Sequence, residues 1–417
     1  MASAPAQREP CDAAPPLPWV ALSCVPVVYG ASDEGAEAIA PGTADLLVEL
    51  HDPPRPSYLA LPERLVPNAR RLERNDFPRI VAVGSDRLLF MATRGPGDPD
   101  YFLCDVKAGT AARLPVVPLE MGLKLLSRRN IGLVADPRRP GHYMVAQLHA
   151  SVSRRHDALL CYSTATGQWA VKPLASDRDH ESWGADGVIA HDSLLWWVDV
   201  AYGMLVCDPF DSHPHLRFVP LPPGCKMHGL GDGPRPTSEM DQHRLIRPSQ
   251  GMLRYVEIQG LSYDSAAVNA PPTVSMWTLV NPAGPHPWRF ECEASFADIW
   301  AHDSYVAAGL PRGKVPKLAL VHPNNHDVVY FFQDTALFAL DVRARLVLAC
   351  EECLVDRQVQ NLELQGSRFV DAWGWELPLP PTVRGDDPAS SDGTRINQFY
   401  SPAFLLWLTS RSNAVVS

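Results

Sequence analysis

The feature that most constrains the fold of this chain is a unit of four short apolar runs separated by turn-forming residues. In the central unit these runs are GVIA (187–190), LLWWVD (194–199), MLVCD (204–208) and LRFVPLP (216–222). Runs of this length are too short for helices and are typical of strands. The breaks carry turn-forming residues, namely His191-Asp192-Ser193 and Tyr202-Gly203. The unit therefore predicts a meander of four antiparallel strands.

The same unit occurs five times, and its first strands begin near residues 79, 130, 187, 243 and 317. Four antiparallel strands repeated at this period predict the blades of a β-propeller, in which each blade buries its faces against its neighbours. The longer last step includes an apparent insertion around residues 298–316. We expect blades near the following ranges: 79–115, 130–175, 187–222, 243–296 and 317–355.

The residues on either side of the five units contain further strand-like runs, at 18–60 and 367–408. Strands from the two termini would form a sixth blade and remove the open edges of the ring. The sequence therefore predicts an all-β fold with a single propeller-like domain over 18–417. A disordered proline-rich leader is expected at 1–17 and a polar, flexible loop at 384–393.

Trp196 and Trp197 are adjacent in the second run of the central unit. Because side chains alternate along a strand, Trp196 is expected to face one neighbouring blade and Trp197 the other. Burial of a tryptophan contributes about 4–6 kcal/mol as an upper bound, before entropy is considered. Packing between blades therefore explains the pair without a ligand.

Composition constrains the partners and the compartment of the chain. The net charge of −10 repels phosphate backbones, so nucleic acid is not an expected partner. No stretch approaches the ~20 apolar residues that span a bilayer, and residues 19–31 are too short and too interrupted for a signal peptide. Nine cysteines are sparse and mostly lie in apolar runs. We expect a monomeric protein of the cytoplasm or nucleus.

The central unit resembles the plant family called domain of unknown function 1618, which is abundant in grasses. The family shows Trp-Val-Asp, a turn containing glycine, a strand ending in Cys-Asp, and then Leu-Arg-Phe-Val-Pro-Leu-Pro. Here the motif residues are Trp196, Trp197, Val198, Asp199, Gly203, Cys207, Asp208, Leu216, Arg217, Phe218, Pro220 and Pro222. The match departs at the AYGM turn, where the family often has a bulky or basic residue before the glycine.

The resemblance extends to the N-terminal half, where PPRPSYLALP (53–62) and DFPRIVAVGSDRLLF (76–90) are similar to the family. Similar repeats follow the F-box of plant F-box proteins, which bind substrates through a propeller. Residues 1–50 do not resemble an F-box. The ligase-adaptor role of those proteins is therefore not carried over to this chain.

Motifs of common enzymes and metal sites do not occur in this sequence. It has no Gly-x-Ser-x-Gly, Gly-x4-Gly-Lys-Ser/Thr, His-Glu-x-x-His or EF-hand loop. Cys350 and Cys353 form a single Cys-x-x-Cys, without the second pair that a structural zinc site needs. The loop histidines His213, His215, His322 and His326 lack a third ligand in sequence. Packing or solvation is the favoured interpretation in each case.

Several charged motifs are best explained without a ligand. Arg384-Gly385-Asp386 is a chance match to an integrin-type tripeptide, and the pairs Arg70-Arg71 and Arg128-Arg129 are interpreted as solvated surface. One group of aspartates follows the third apolar run of its unit and precedes a turn, where aspartate accepts hydrogen bonds from backbone N–H groups. These residues are Asp105, Asp208 and Asp341.

The leading hypothesis is a non-enzymatic propeller that binds a protein or peptide through its loops, because the repeats are rich in packing residues and poor in catalytic groups. No cofactor, metal or catalytic residue is predicted, and the binding residues are not assigned. The rival hypothesis is a propeller hydrolase or lyase with an axial metal. For that site the first strands offer Asp136, His243 and His322, which is an incomplete set.

Overall fold

The structure is a computed structural model that describes residues 18–33, 36–67, 78–92, 99–125, 129–149, 157–176, 186–227, 240–260, 271–352, 366–374 and 382–384. The leader predicted at 1–17 lies outside these ranges. So do the predicted loop at 384–393 beyond its first residue and most of the predicted closing strands at 375–408.

The described chain begins with four short strands that belong to the closing blade. They are β1 (Trp19–Ser23), β2 (Val27–Tyr29), β3 (Leu47–Leu50) and β4 (Tyr58–Pro62). A 3-10 turn at Ala36–Ile39 lies between β2 and β3. The segment rejected as a signal peptide therefore forms the strands β1 and β2.

The next three blades are antiparallel meanders whose first strand lies innermost. Blade one contains β5 (Arg79–Val83), β6 (Arg87–Ala92), β7 (Asp100–Asp105) and β8 (Thr110–Arg113). Blade two, after a 3-10 turn at Leu119–Met121, contains β9 (Ile131–Ala135), β10 (Tyr143–His149), β11 (Ala158–Ser163) and β12 (Gln168–Pro173). Blade three contains β13 (Ala175–Ser176), β14 (Gly187–His191), β15 (Leu194–Asp199), β16 (Gly203–Cys207) and β17 (His215–Pro220). The short β13 pairs with β17 in parallel, at the outer edge.

Blades four and five have the same order. Blade four contains β18 (Arg244–Ser249), β19 (Met252–Gln259), β20 (Thr273–Leu279) and β21 (Trp288–Ser295). The predicted insertion contains two short helices, α1 (Phe296–Ala301) and α2 (Asp303–Ala307). Blade five contains β22 (Lys317–Val321), β23 (Val328–Gln333), β24 (Ala336–Asp341) and β25 (Leu346–Glu352). The helices make the fold mostly β, where the sequence predicted an all-β fold.

Strands from both ends of the chain form the sixth blade. The last described strands are β26 (Val370–Gly374) and β27 (Thr382–Arg384). β26 pairs with β1, and Leu22 of β1 bridges in parallel to Ser57, next to β4. β4 then pairs with β3 and β2, and β3 with β27. The predicted propeller with a sixth blade closed by the two termini is confirmed, although this blade mixes parallel and antiparallel pairs.

Two-residue hairpins explain why the inner strands of some blades turn so tightly. Asp192 and Ser193 join β14 to β15 with φ values of 52° and 61°, and Gln250-Gly251 joins β18 to β19 with 50° and 69°. Both residues of a type I′ turn need positive φ, which aspartate and glycine tolerate best. The twist of this turn matches that of the paired strands.

Apolar clusters fill the spaces between neighbouring blades. Trp196 lies in the cluster that joins blade three to Leu253 and Tyr255 of blade four. Trp197 lies in the cluster that joins blade three to Met144 of blade two. The two tryptophans therefore pack on opposite neighbours, as alternation along β15 requires.

Indole N–H groups link successive blades by hydrogen bonds to backbone carbonyls. The Nε1 atom of Trp197 donates to the carbonyl oxygen of Asn130, before blade two, at 2.9 Å. Trp373 of blade six donates to Gly84 of blade one at 2.9 Å. Similar bonds join Trp169 to Pro115 and Trp288 to Pro220. Because a buried indole needs a partner, these bonds specify blade contacts as well as satisfying the N–H.

Candidate functional site

A charged residue lies at or just before the start of every inner strand. Because the six inner strands run in the same direction around the axis, these residues lie around one end of the central channel, which we call the channel mouth. They are Arg79, Arg129, Asp186, Asp241, Lys317 and Arg368.

A cavity of about 170 Å³ lies in the central channel, and its lining includes residues of the channel mouth. Four of the residues around the mouth line it, namely Arg79, Arg129, Asp186 and Arg368. Arg247 and Asp371 line it from within their strands, and aliphatic side chains of β5, β9 and β14 complete its wall. The cavity therefore combines an apolar wall with a charged rim.

Two ion pairs hold the arginines of blades four and six. Nε of Arg368 lies 2.8 Å from a carboxylate oxygen of Asp241. Nε of Arg247 lies 3.7 Å from a carboxylate oxygen of Asp371, and its Nη2 donates to the carbonyl oxygen of Ser367 at 2.7 Å. Both guanidinium groups are therefore fixed in position by partners from other segments.

Phe369 lies between two of the arginines. The guanidinium of Arg79 lies 4.5 Å from the ring centroid, and that of Arg368 lies 4.9 Å from it. Nη2 of Arg79 also donates to the carbonyl oxygen of Arg368 at 3.0 Å. Contacts of a guanidinium with an aromatic face are favourable, so the ring stabilises two like charges at close range.

Asp186 is a carboxyl group at the mouth whose pKa is raised by burial. Its Oδ2 accepts a hydrogen bond from the backbone N–H of Val200 at 2.9 Å. Its Oδ1 is buried and has no hydrogen-bond partner among the described residues. Burial raises the pKa of Asp186 to about 7, and the Val200 hydrogen bond and Arg129 oppose this rise. At neutral pH this carboxyl is therefore partly protonated.

The other two carboxylates at the mouth are shifted in the same direction. Burial raises the pKa of Asp241 to about 6, against the opposing charge of Arg368. Burial also raises the pKa of Asp371, and Arg247 opposes the shift. The five basic side chains of the mouth and the cavity lining outnumber these three carboxyl groups, so the mouth is electropositive in a chain of net charge −10.

The position of Arg129 contradicts its sequence-based interpretation. The pair Arg128-Arg129 was expected to be solvated surface, but Arg129 lines the cavity. It precedes β9 by two residues, at the mouth end of that inner strand. Arg128, Arg70 and Arg71 lie outside the described residues.

Of the three residues considered for an axial metal, one lies at the mouth end of the channel and two lie at the other end. Asp136 follows β9, at the other end of the channel, and its Oδ1 accepts from the backbone N–H of Arg138 at 2.9 Å. His322 follows β22, and its ring lies 4.7 Å from that of Trp19. His243 lies just before β18. Among the described residues there is no group of three or more His, Cys, Asp or Glu side chains that could hold a metal.

The central motif residues lie in blade three and mainly serve packing. Asp199 is fully buried and accepts from the N–H of Ala201 at 3.0 Å. The Cα of Gly203 faces the ring of Phe218, where a Cβ would lie 2.6 Å from a ring carbon. Arg217 pairs with Val206 across the sheet. The remaining residues of the motif lie in or beside the same blade: Trp196, Trp197, Val198, Cys207, Asp208, Leu216, Pro220 and Pro222.

The aspartates after the third strands cap turns. Oδ1 of Asp105 accepts from the N–H of Ala108 at 2.9 Å, and Asp341 accepts from Ala344 at 2.8 Å. Oδ1 of Asp208 accepts from the N–H of Phe210 at 2.8 Å. These bonds match the turn-capping interpretation.

Most remaining candidates are engaged locally or fall outside the described residues. His213 contacts its neighbour Ser212, and His326 contacts Gln250. His215 lies exposed at the start of β17. Cys350 lies half-buried in β25, whereas Cys353 lies outside the described residues, as do Gly385 and Asp386.

The strand pairing and the charged mouth define this protein as a six-bladed β-propeller with an electropositive channel mouth. Residues 197–330 match the family described as "Protein of unknown function (DUF1618)". This match includes most of the central motif and agrees with the resemblance that the motif predicted. No curated protein matches the chain.

Solved structures with some likeness to the chain include Citrobacter koseri AztD, Kluyveromyces lactis Hsv2 and a chain of a nidogen/laminin complex. The first is 10% identical with a TM-score of 0.31, and the aligned region covers 66% of this chain and 58% of the other chain. The second is 9% identical with a TM-score of 0.31, covering 66% and 64%. The third is 10% identical with a TM-score of 0.32, covering 67% and 88%. The likeness is distant, and the propeller assignment rests on the strand pairing itself.

No helix within the described ranges has the length and apolar character needed to cross a membrane.

Proposed function

We propose that this chain is a non-enzymatic scaffold that binds a protein or peptide partner at the face of the propeller that contains the channel mouth. The observation that carries this proposal is the electropositive cavity, lined by four arginines and two aspartates, in a chain of net charge −10. A cavity with a net positive lining in a rigid ring concentrates ligands of negative charge.

The connections between blades support the choice of this face. Strands β4, β8, β17 and β25 end at this face, and each is separated in sequence from the next inner strand by a long stretch: 63–78, 114–130, 221–243 and 353–369. At the opposite face, by contrast, two-residue turns join β14 to β15 and β18 to β19. Long connections on a rigid scaffold are where binding residues concentrate.

The rival hydrolase or lyase would need an axial cation held by several carboxylates or histidines. At the mouth, however, Asp186 and Asp241 lie among arginines, whose positive charge opposes a metal cation. This electrostatic argument favours the binding scaffold over the metal enzyme.

We also propose that the scaffold acts as a monomer inside the cell. All seven described cysteines are free, and five of them are buried. A reducing compartment keeps such thiols free of disulfides.

The proposal is tested by affinity capture from extracts of the tissue that expresses the protein. Arg129→Gln removes a charge at the mouth, and Arg343→Gln removes an exposed charge from a turn at the opposite face. We expect a reproducible protein partner on the wild type and on Arg343→Gln, with less on Arg129→Gln. No reproducible partner, together with turnover of a small molecule by the purified protein, would overturn the proposal.

A further inference from the structure

We infer that the cavity at the channel mouth is an oxyanion site, which receives a carboxylate or phosphate group on a side chain of the partner. This inference rests on the proposed function, because it names the chemical group that the binding face recognises. It concerns the residues Arg79, Arg129, Arg247 and Arg368.

The lining of the cavity carries a net positive charge. Four guanidinium groups and two carboxyl groups line the cavity, so the described lining carries at least two surplus positive charges. Adding Lys317 and Asp241, which interact with each other at the rim, leaves that surplus unchanged. Like charges gathered in a partly buried cavity are costly, and a bound anion offsets this cost.

The arginines of the cavity are held in place before any ligand binds. Arg79 is fixed by the Phe369 ring and by the carbonyl oxygen of Arg368. Arg247 donates to the carbonyl oxygens of Ile246 and Ser367, at 3.0 and 2.7 Å. A preorganised set of cations binds an anion without first ordering flexible side chains.

The cavity matches a carboxylate or phosphate group in size and geometry. The volume of about 170 Å³ is close to that of an engineered cavity of about 150 Å³ that holds benzene, so the end of one side chain fits. Guanidinium groups match carboxylate and phosphate oxygens through paired N–H donors. A single acidic or phosphorylated side chain is therefore the occupant that the cavity suits.

Asp186 can be used to test which sign of charge the cavity prefers in a ligand. Its carboxyl lines the cavity with a buried oxygen that has no hydrogen-bond partner among the described residues. Because its pKa is about 7, it is mostly ionised at about pH 8 and then repels a bound anion. Removing its charge should strengthen anion binding, whereas removing the charge of Arg129 should weaken it.

The experiment is isothermal titration calorimetry of the purified full-length chain at low salt and about pH 8. The probes are inorganic phosphate and the capped tripeptides Gly-Glu-Gly, Gly-phosphoserine-Gly and Gly-Gln-Gly, the last as the uncharged control. The proteins are the wild type, Arg129→Gln, Asp186→Asn and, as a matched control, Arg343→Gln. Thermal melts verify that each variant is folded.

We expect the phosphate and at least one anionic peptide to bind the wild type and Arg343→Gln, while the glutamine peptide does not. Arg129→Gln should weaken binding about tenfold, and Asp186→Asn should strengthen it severalfold. Binding of only the phosphoserine peptide would identify a phosphorylated side chain as the source of the oxyanion, and binding of only the glutamate peptide an acidic one.

The absence of binding by all anionic probes up to about 20 mM would overturn the oxyanion site, as would equal binding by wild type and Arg129→Gln. Partner capture reports separately on the proposed function. A partner retained equally by wild type and Arg129→Gln would leave the scaffold standing without the oxyanion site. Anion binding without any protein partner would leave the site standing without the scaffold.

Discussion

Arg368 and Asp241 form an ion pair of 2.8 Å between the segment that enters blade six and the segment that enters blade four. Asp241 is buried, with 5% of its surface exposed. The backbone N–H of Ser367 also donates to the carbonyl oxygen of Asp241, at 3.2 Å. The contacts that join the entries of blades four and six at the channel mouth therefore also position an arginine of the candidate site.

This coupling predicts that Asp241→Ala is strongly destabilising. Removal of the carboxylate leaves the half-buried Arg368 without this ion-pair partner, which typically costs about 3–5 kcal/mol for a buried pair. Urea unfolding of Asp241→Ala and of the control Glu120→Ala, at an exposed acidic residue, measures the difference. A loss no larger than that of the control would contradict the role of the pair.

Trp197→Ala and Trp196→Ala should each cost about 3–5 kcal/mol, as for a large core aromatic. Each opens a space between blade three and a neighbouring blade, and Trp197→Ala also removes the hydrogen bond to Asn130. Tyr202→Ala should cost about 1–2 kcal/mol, because its half-buried ring packs beside Phe218 and Lys226 in the turn. Thermal melts rank the three variants, and tryptophan variants with unchanged melting would show that the pair is not scaffold.

Gly203→Ala should destabilise the protein by about 1–3 kcal/mol. An added Cβ would lie 2.6 Å from the Phe218 ring and 2.6 Å from the carbonyl oxygen of Val219, so the sheet would have to shift. At Gly374 the nearest atom would lie 3.5 Å away, so Gly374→Ala is the matched control and should change stability by under about 0.5 kcal/mol. Equal melting of the two variants would contradict the close approach at Gly203.

Asp186→Asn should stabilise the protein at about pH 8 but not at about pH 4. The pKa of Asp186 is raised to about 7 in the folded protein, so the folded state holds a proton that the unfolded chain loses near its ordinary value of about 3.9. The stability from this group is therefore present at low pH and is lost as the pH rises through about 7. Asparagine does not ionise, so the advantage of the variant should grow to about 1–3 kcal/mol across this window.

Urea unfolding of wild type and Asp186→Asn between about pH 4 and pH 8 measures this difference, with Asp192→Asn on its exposed turn as the control. An advantage that is constant with pH would show that the effect is steric and not due to ionisation.

The sequence was sufficient to predict the propeller but not its site. Four short apolar runs repeat with a period that is typical of propeller blades, whose apolar faces are buried against neighbouring blades. The five regular blades and the closing blade were therefore predictable. Acids and histidines within and after the first strands are the usual candidates for an axial site. Two of them, Asp136 and His322, lie at the opposite end of the channel from the mouth. Arg129 was interpreted as surface because paired arginines beside a turn usually are solvated.

A positional signal for the mouth was present in the sequence. Each first strand begins with, or follows within three residues, a charged side chain, and in a propeller all these positions lie around one mouth. The ion pairs were not predictable, because Arg368 and Asp241 are far apart in sequence and come together only when the ring closes. The raised pKa of Asp186 depends on the same burial.

The most direct test of the account is hydrogen–deuterium exchange of the protein alone and in complex with a captured partner. The account predicts slower exchange in the complex at the channel mouth, in the residues that begin β9 and β14 and in 366–370. The turns of the opposite face, at 192–193, 250–251 and 342–345, should exchange equally with and without the partner. Protection confined to those turns or to the outer strands, with none at the mouth, would contradict the central claim that this face binds the partner.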